Sequence, residues 1–196
     1  MNKKKTYLAG SIQAADDGGV GWRDKVSKDL SALGFECQDP TKAECNHSLA
    51  ETIVDQKKKL ENLKRGGSWE RYTSTMREIR KADLVCVNNS EFMILYWNPE
   101  YKHGGTIHEI VEAWQKHVPI YTVSYAPRME FNDWVLGLLL ENEIDGGKIF
   151  PNFKQLIEFL EVEYKDYSKK YNDFLKEKEK AEKSSAGTPE GLSSVK

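Results

Sequence analysis

The sequence predicts an α/β fold, with a mainly parallel five-stranded sheet and helices on both of its faces. Three observations carry that expectation. Short apolar runs alternate with stretches of helical periodicity, Gly and Pro punctuate the joins, and 196 residues with 39% hydrophobic content suit one core and not two. The folded domain is expected to span 1–164, followed by a charged helical extension over 165–183 and a disordered tail over 184–196.

The first strand is read in "KTYLAGSI", an apolar run closed by Gly10 and Ser11. Trp22, Val26, Leu30 and Leu33 then recur at helical spacing, and Gly34 stands where a helix C-cap belongs. "FECQDP" reads as a second strand, stopped by Pro40 because proline has no donor for a ladder. Positions 41–80 read as a helical insertion, two charged helices broken at Gly66 and Gly67, the second running from Trp69 to Arg80. "ADLVCVNN" is expected to be the buried third strand, with Asp83 opening it in a structural role and Asn88 at its carboxyl end. "EFMILYWNPEY" is ambiguous, and its place between a strand end and a Gly-rich turn suits a loop lining a pocket. A helix over "GTIHEIVEAWQKH", with Ile107, Ile110, Val111 and Trp114 on one face, precedes a strand over "VPIYTVSY". "DWVLGLLLEN", "GKIF" and "NFKQLIEFLEVEY" complete a helix, a strand and a helix.

Composition narrows the function. With 29 basic and 31 acidic residues the net charge is -2, so no global field favours a nucleic acid polymer or an anionic membrane. Cys37, Cys45 and Cys86 form no CxxC pair, which fits a reduced, intracellular protein. The start "MNKKKTYLAGSI" is too short and too interrupted for a signal sequence or a membrane span, so a cytoplasmic protein is expected. His47 and His117 lack companions at metal-site spacing, so no metal is expected.

The stretch "KHGGTIHEI" admits two readings. Thr106 and Glu109 spell a capping box, and a helical wheel turns Glu109 away from the apolar face toward solvent. Yet a helix that follows the carboxyl end of a strand begins at the crevice where ligands bind such sheets. There Gly104 and Gly105 admit a ligand to the backbone, and the first amides favour an anion.

Taken in order, "YLAGSI", "GWR", "DP", "IRKADLVCVNN", "GGTIHEIVEAW" and "VPIYTV" resemble the nucleoside 2-deoxyribosyltransferase family, from about Lys5 to about Leu160. The resemblance implies a flavodoxin-like doubly wound fold and cofactor-free cleavage of the N-glycosidic bond of a deoxynucleoside or deoxynucleotide. It implies Glu109 as the nucleophile on C1′, forming a covalent glycosyl intermediate, with Tyr7 positioning it. Tyr7 is otherwise a core aromatic of the first strand. Two positions depart from the family. An aspartate eight residues before that of "AD" is replaced by Thr75, and one six residues before the nucleophile is replaced by His103, which can itself donate a proton near neutral pH.

The "GSI" turn resembles the 2′-deoxynucleoside 5′-monophosphate N-hydrolase branch. That resemblance implies a 5′-phosphate held by Gly10, Ser11 and the amides near Ile12, with Arg23 as a charge partner in place of the arginine that Gln13 replaces. Arg23 read by itself is a solvated helix residue. Trp97, Asn98 and Tyr101 either stack on and hydrogen-bond a base or fill a loop core, and Asn88, Gly105 and Thr106 complete the substrate set. The expected function is deoxyribosyl transfer between bases. The alternatives are hydrolysis of a deoxynucleoside monophosphate and a non-catalytic nucleotide-binding protein of the same fold. Homo-oligomers are implied by the resemblance alone.

Overall fold

Period-2 alternation along the strands divides the apolar residues between two faces. In the computed structural model, which describes residues 1–12, 14–42 and 53–185, β1 (Lys4–Gly10) sends Tyr7 and Ala9 to one face and Leu8 to the other. Gln13, Cys45, His47 and the expected tail beyond Ser185 lie outside the described residues. The remaining strands are β2 (Phe35–Gln38), β3 (Phe92–Tyr96), β4 (Ile120–Val123) and β5 (Lys148–Phe150). They form one five-stranded sheet in the order β2-β1-β3-β4-β5, and every pairing is parallel. The fold is the doubly wound, flavodoxin-like α/β arrangement that the sequence predicts.

Helices cover both faces. α1 (Val20–Ala32) and α6 (Phe153–Glu163) bury Val26, Leu30, Leu156 and Leu160 against Leu8, Phe92, Ile94 and Val123. α3 (Trp69–Asn88), α4 (Gly104–Gln115) and α5 (Asp133–Glu141) bury Val87, Ile110, Ala113 and Val135 against Tyr7, Met93 and Leu95. The turn from α1 to β2 needs Gly34, whose φ of 91° lies in the left-handed region. A Cβ there would lie 2.7 Å from the Tyr171 ring. Tyr171 belongs to α7 (Lys165–Ser185), the extension, which docks by its first turns. The Tyr167 hydroxyl donates to the Gly34 carbonyl at 2.7 Å, and Ser168 Oγ donates to that of Leu33 at 3.0 Å. Among the described residues no helix is long and apolar enough to cross a membrane.

Two expectations are corrected. "ADLVCVN" is not a strand but the last turns of α3, and the third strand is "FMILY", whose run the sequence leaves ambiguous between a strand and a pocket-lining loop. The reason is continuity. Met76, Ile79, Asp83 and Val87 keep helical spacing, with no Gly or Pro after Trp69 to stop the helix before Asn88. β3 then occupies the middle of the sheet, Leu8 opposite Ile94 and Ile94 opposite Tyr121, where burial on both faces makes its run continuously apolar. Over the described part of 41–80 the chain forms α2 (Ile53–Arg65) and the start of α3, joined through Gly66 and Gly67.

Candidate functional site

The strand order places a switch point between β1 and β3, where one chain connection departs toward β2 and the other toward β4. A cavity of about 360 Å³ opens there. Its floor comes from the turn after β1, with Gly10, Ser11 and Ile12, and from the first turns of α4, with His103, Gly105, Thr106 and Glu109. Its other wall is the α2–α3 hairpin, which contributes Gln56, Lys57, Leu60, Met76, Arg80 and Asp83. Seven of the predicted site residues therefore line one cavity.

The start of α4 decides between the two readings of Glu109. The helix begins at Gly104 with His103 at the N-cap and no side-chain cap, so Thr106 and Glu109 lie inside the helix and form no capping box. The buried stripe is Thr106, Glu109, Ile110 and Ala113, turned from the predicted Ile107–Ile110–Val111–Trp114 face. Glu109 is buried, not solvated, and its Oε1 accepts from the Tyr7 hydroxyl at 2.8 Å. Tyr7 is both a core aromatic and the anchor of that carboxylate. At Gly104 and Gly105 an added Cβ would meet nothing within 4 Å, so open space lies over the helix start.

A residue that the sequence reading set aside completes the carboxylate arrangement. Asp83 is not a structural residue at a strand start but sits on α3 and lines the cavity with Glu109. Its Oδ1 is shut off from water and has no hydrogen-bond partner among the described residues. Burial pushes its carboxyl up to about 8, the charge of Glu109 adds to the rise, and Arg23 opposes it. Burial raises Glu109 as well, against the Tyr7 hydrogen bond and Arg23, and it raises Tyr7 well above the usual phenol range. Tyr7 stabilises the ionised form of Glu109, whereas Asp83 Oδ1 has no donor among the described residues, which favours the proton of the pair on Asp83. The helical spacing Met76–Ile79–Asp83–Val87 was the signal that could have placed Asp83 on a buried helix face.

His103 is arranged differently from the expected proton donor. Its Nε2 lies 2.6 Å from the Asn98 carbonyl, which can only accept, so the ring proton is on Nε2. Burial lowers its basicity, which leaves Nδ1 as a bare acceptor without a partner. Trp97 is buried behind the site, stacked on the His103 ring with centroids 3.9 Å apart at 18°. Trp97 and Asn98 thus hold His103 and do not line the cavity. Asn88 stands exposed at the end of α3, where it donates to Glu112 at 2.8 Å, and it too is outside the cavity. Arg23 is neither solvated nor on the cavity wall. It is 0% exposed and donates to the carbonyls of Leu8, Gly10 and Gly19. Thr75 does not line the cavity either.

Among solved structures, the chain is similar to a conserved protein from Enterococcus faecalis V583. The two share 16% identity with a TM-score of 0.53, over 80% of this chain and 96% of that one. At this identity the likeness shows the fold. No family model matches the sequence, and no curated protein matches it.

Proposed function

We propose that this protein cleaves the N-glycosidic bond of a 2′-deoxynucleoside or deoxynucleotide and transfers the deoxyribosyl group to another base. The observation that carries the reading is the pair of carboxyl groups lining one cavity, Glu109 anchored by Tyr7 and Asp83 pushed up to about 8 by burial. Two carboxyl groups held in opposite protonation states are what a nucleophile and an acid require. Glu109 attacks C1′ and forms a glycosyl ester. The C1′–N bond breaks with its electron pair going to the base, and the Asp83 proton goes to that base. In the second half an acceptor nitrogen attacks C1′, returns its proton to Asp83 and frees Glu109.

The corrected strand position supports Asp83 in this role. In the resembled family the acid stands eight residues before the aspartate that leads the third strand. Here β3 starts at Phe92, so the strand-leading position is Glu91, and eight residues earlier is Asp83, not Thr75. His103, as an acceptor, orients a substrate N–H or O–H and does not protonate the leaving base.

A second reading, hydrolysis of a 5′-monophosphate to free base and deoxyribose 5-phosphate, is favoured by Ser11 and by Lys57, Arg80 and Lys102 on the same cavity. Chromatography of the protein with each deoxynucleoside and its 5′-monophosphate, with and without a second base, separates the two. New nucleoside only with acceptor present supports transfer; free base and sugar phosphate support hydrolysis. Ligand-induced stabilisation without turnover across the panel leaves a nucleotide-binding protein and defeats both.

A further inference from the structure

Burying a guanidinium costs several kcal/mol unless its charge and donors are met. Arg23 is nevertheless the largest fully buried side chain among the described residues. Its donors go to backbone. Nε reaches the Leu8 carbonyl at 3.0 Å, Nη2 that of Gly10 at 2.9 Å and Nη1 that of Gly19 at 2.9 Å. Its charge faces Asp39, 3.7 Å away and also buried. The backbone is shaped around it: Gly19 has a φ of 72°, and a Cβ there would lie 2.4 Å from Nη1.

The three carbonyls are not a random set. Leu8 follows Tyr7, the donor to Glu109; Gly10 lines the cavity; Gly19 is the N-cap of α1. Only a planar fork of donors can hold all three at once. We propose that Arg23 is a positioning residue of the site, a buried cation that clamps the carboxyl end of β1 and balances the charges of the Tyr7–Glu109–Asp83 cluster from behind.

The neighbouring charges agree with this role. Arg23 favours the ionised form of both Glu109 and Asp83. Asp39, after β2, opposes it and is itself approached by Lys42 at 3.7 Å. Asp17, before α1, is tied to the amides of Gly19 and Gly21. From the cavity side the cluster faces Lys57 on α2, Arg80 on α3, and Lys102 and His103 before α4.

The test is a carbon-13 NMR titration of the Glu109 and Asp83 carboxyl groups, assigned with Glu109→Gln and Asp83→Asn, in wild type, Arg23→Met, Arg23→Lys and Asp39→Asn. Removing the cation in Arg23→Met should move the pair's titration upward by roughly one unit. Arg23→Lys, which keeps the charge and loses the fork, should recover most of that shift. Asp39→Asn, which leaves Arg23 uncompensated, should move the titration downward. A purely structural arginine would lower the melting temperature in all three variants and leave the titrations alone, and that result overturns the proposal. So does an equal shift in Arg23→Met and Arg23→Lys. If Arg23→Met does not fold, the sign of the Asp39→Asn shift decides, and no shift or an upward one overturns it. Any effect on turnover rests on the glycosidic reading, but the titration does not. A wild type without turnover therefore strikes that reading and leaves this one to be judged by its own curves.

Discussion

The two faces of the sheet share the same strands and differ in what they bury. The face under α1 and α6 is closed and aromatic. Phe35 and Phe92 meet edge-on at 5.1 Å, Phe150 and Phe159 pack at 5.3 Å, and Leu156 is fully covered. The face under α3, α4 and α5 contains comparable apolar residues but also buries Tyr7, His103, Thr106 and Glu109, and it opens into the cavity. Unpartnered polar atoms at Asp83, His103 and Gln56 occur on that cavity wall. The closed face contributes stability by ordinary packing, whereas the open face gives up stability to hold polar groups at a cavity.

The comparison is broken most directly at Glu109. Glu109→Ala should reduce turnover by about 10⁴-fold, worth about 5 kcal/mol at the transition state, with little loss of fold. Product chromatography checks it, and retained turnover would remove Glu109 as nucleophile. Next in size is Leu156→Ala on the closed face, expected to cost about 2–5 kcal/mol in urea unfolding, because the side chain is fully buried and leaves a cavity. Its pH–rate profile should match wild type, since no site group touches it.

Asp83→Asn should do the opposite, losing turnover by about 10²-fold or more while gaining stability. The sign follows from linkage. The folded carboxyl is raised from its ordinary value of 3.8 to about 8, so its contribution is whole below pH 4 and is lost as pH climbs to 8. The variant should therefore match wild type in urea at pH 4 and exceed it at pH 8 by up to about 5 kcal/mol, the linkage of a carboxyl raised from 3.8 to about 8. A gain at pH 4 as large as at pH 8 would contradict the raised carboxyl. The smallest effect is expected at Gln56, whose buried Nε2 has no partner among the described residues. Gln56→Leu should raise the ligand-free melting temperature, by up to about 1 kcal/mol of stability, and weaken binding of whatever ligand the cavity holds.

The closed face was legible in the sequence because its residues obey one rule. Val26 and Leu30, or Leu156 and Leu160, keep helical spacing and are buried for no reason but packing. The open face obeys two rules at once, and reading by apolarity alone failed there twice. The run "DLVCV" has strand composition but continues an unbroken helix, with β-branched residues partly exposed on its outer side, as Val85 is. The α4 wheel was centred on its apolar residues, although the buried stripe includes a threonine and a glutamate that periodicity counts as polar. Glu109 itself was found through resemblance, and Asp83 was missed because its helix was drawn as a strand. The three backbone contacts of Arg23 had no local signal, since its partners are carbonyls, which every residue possesses.

The hairpin of α2 and α3 has a consequence for how this chain can change over generations. Glu109, Tyr7 and the β1 turn are encoded in the sheet and its crossovers, but much of the opposite wall is encoded in one uninterrupted stretch between β2 and β3. Substitutions at Gln56, Lys57, Leu60 or Met76 can redraw the space above the carboxylates without disturbing a single strand pairing. The cavity lining can thus drift around Asp83 in that one segment while Tyr7 and Glu109 stay fixed in the scaffold.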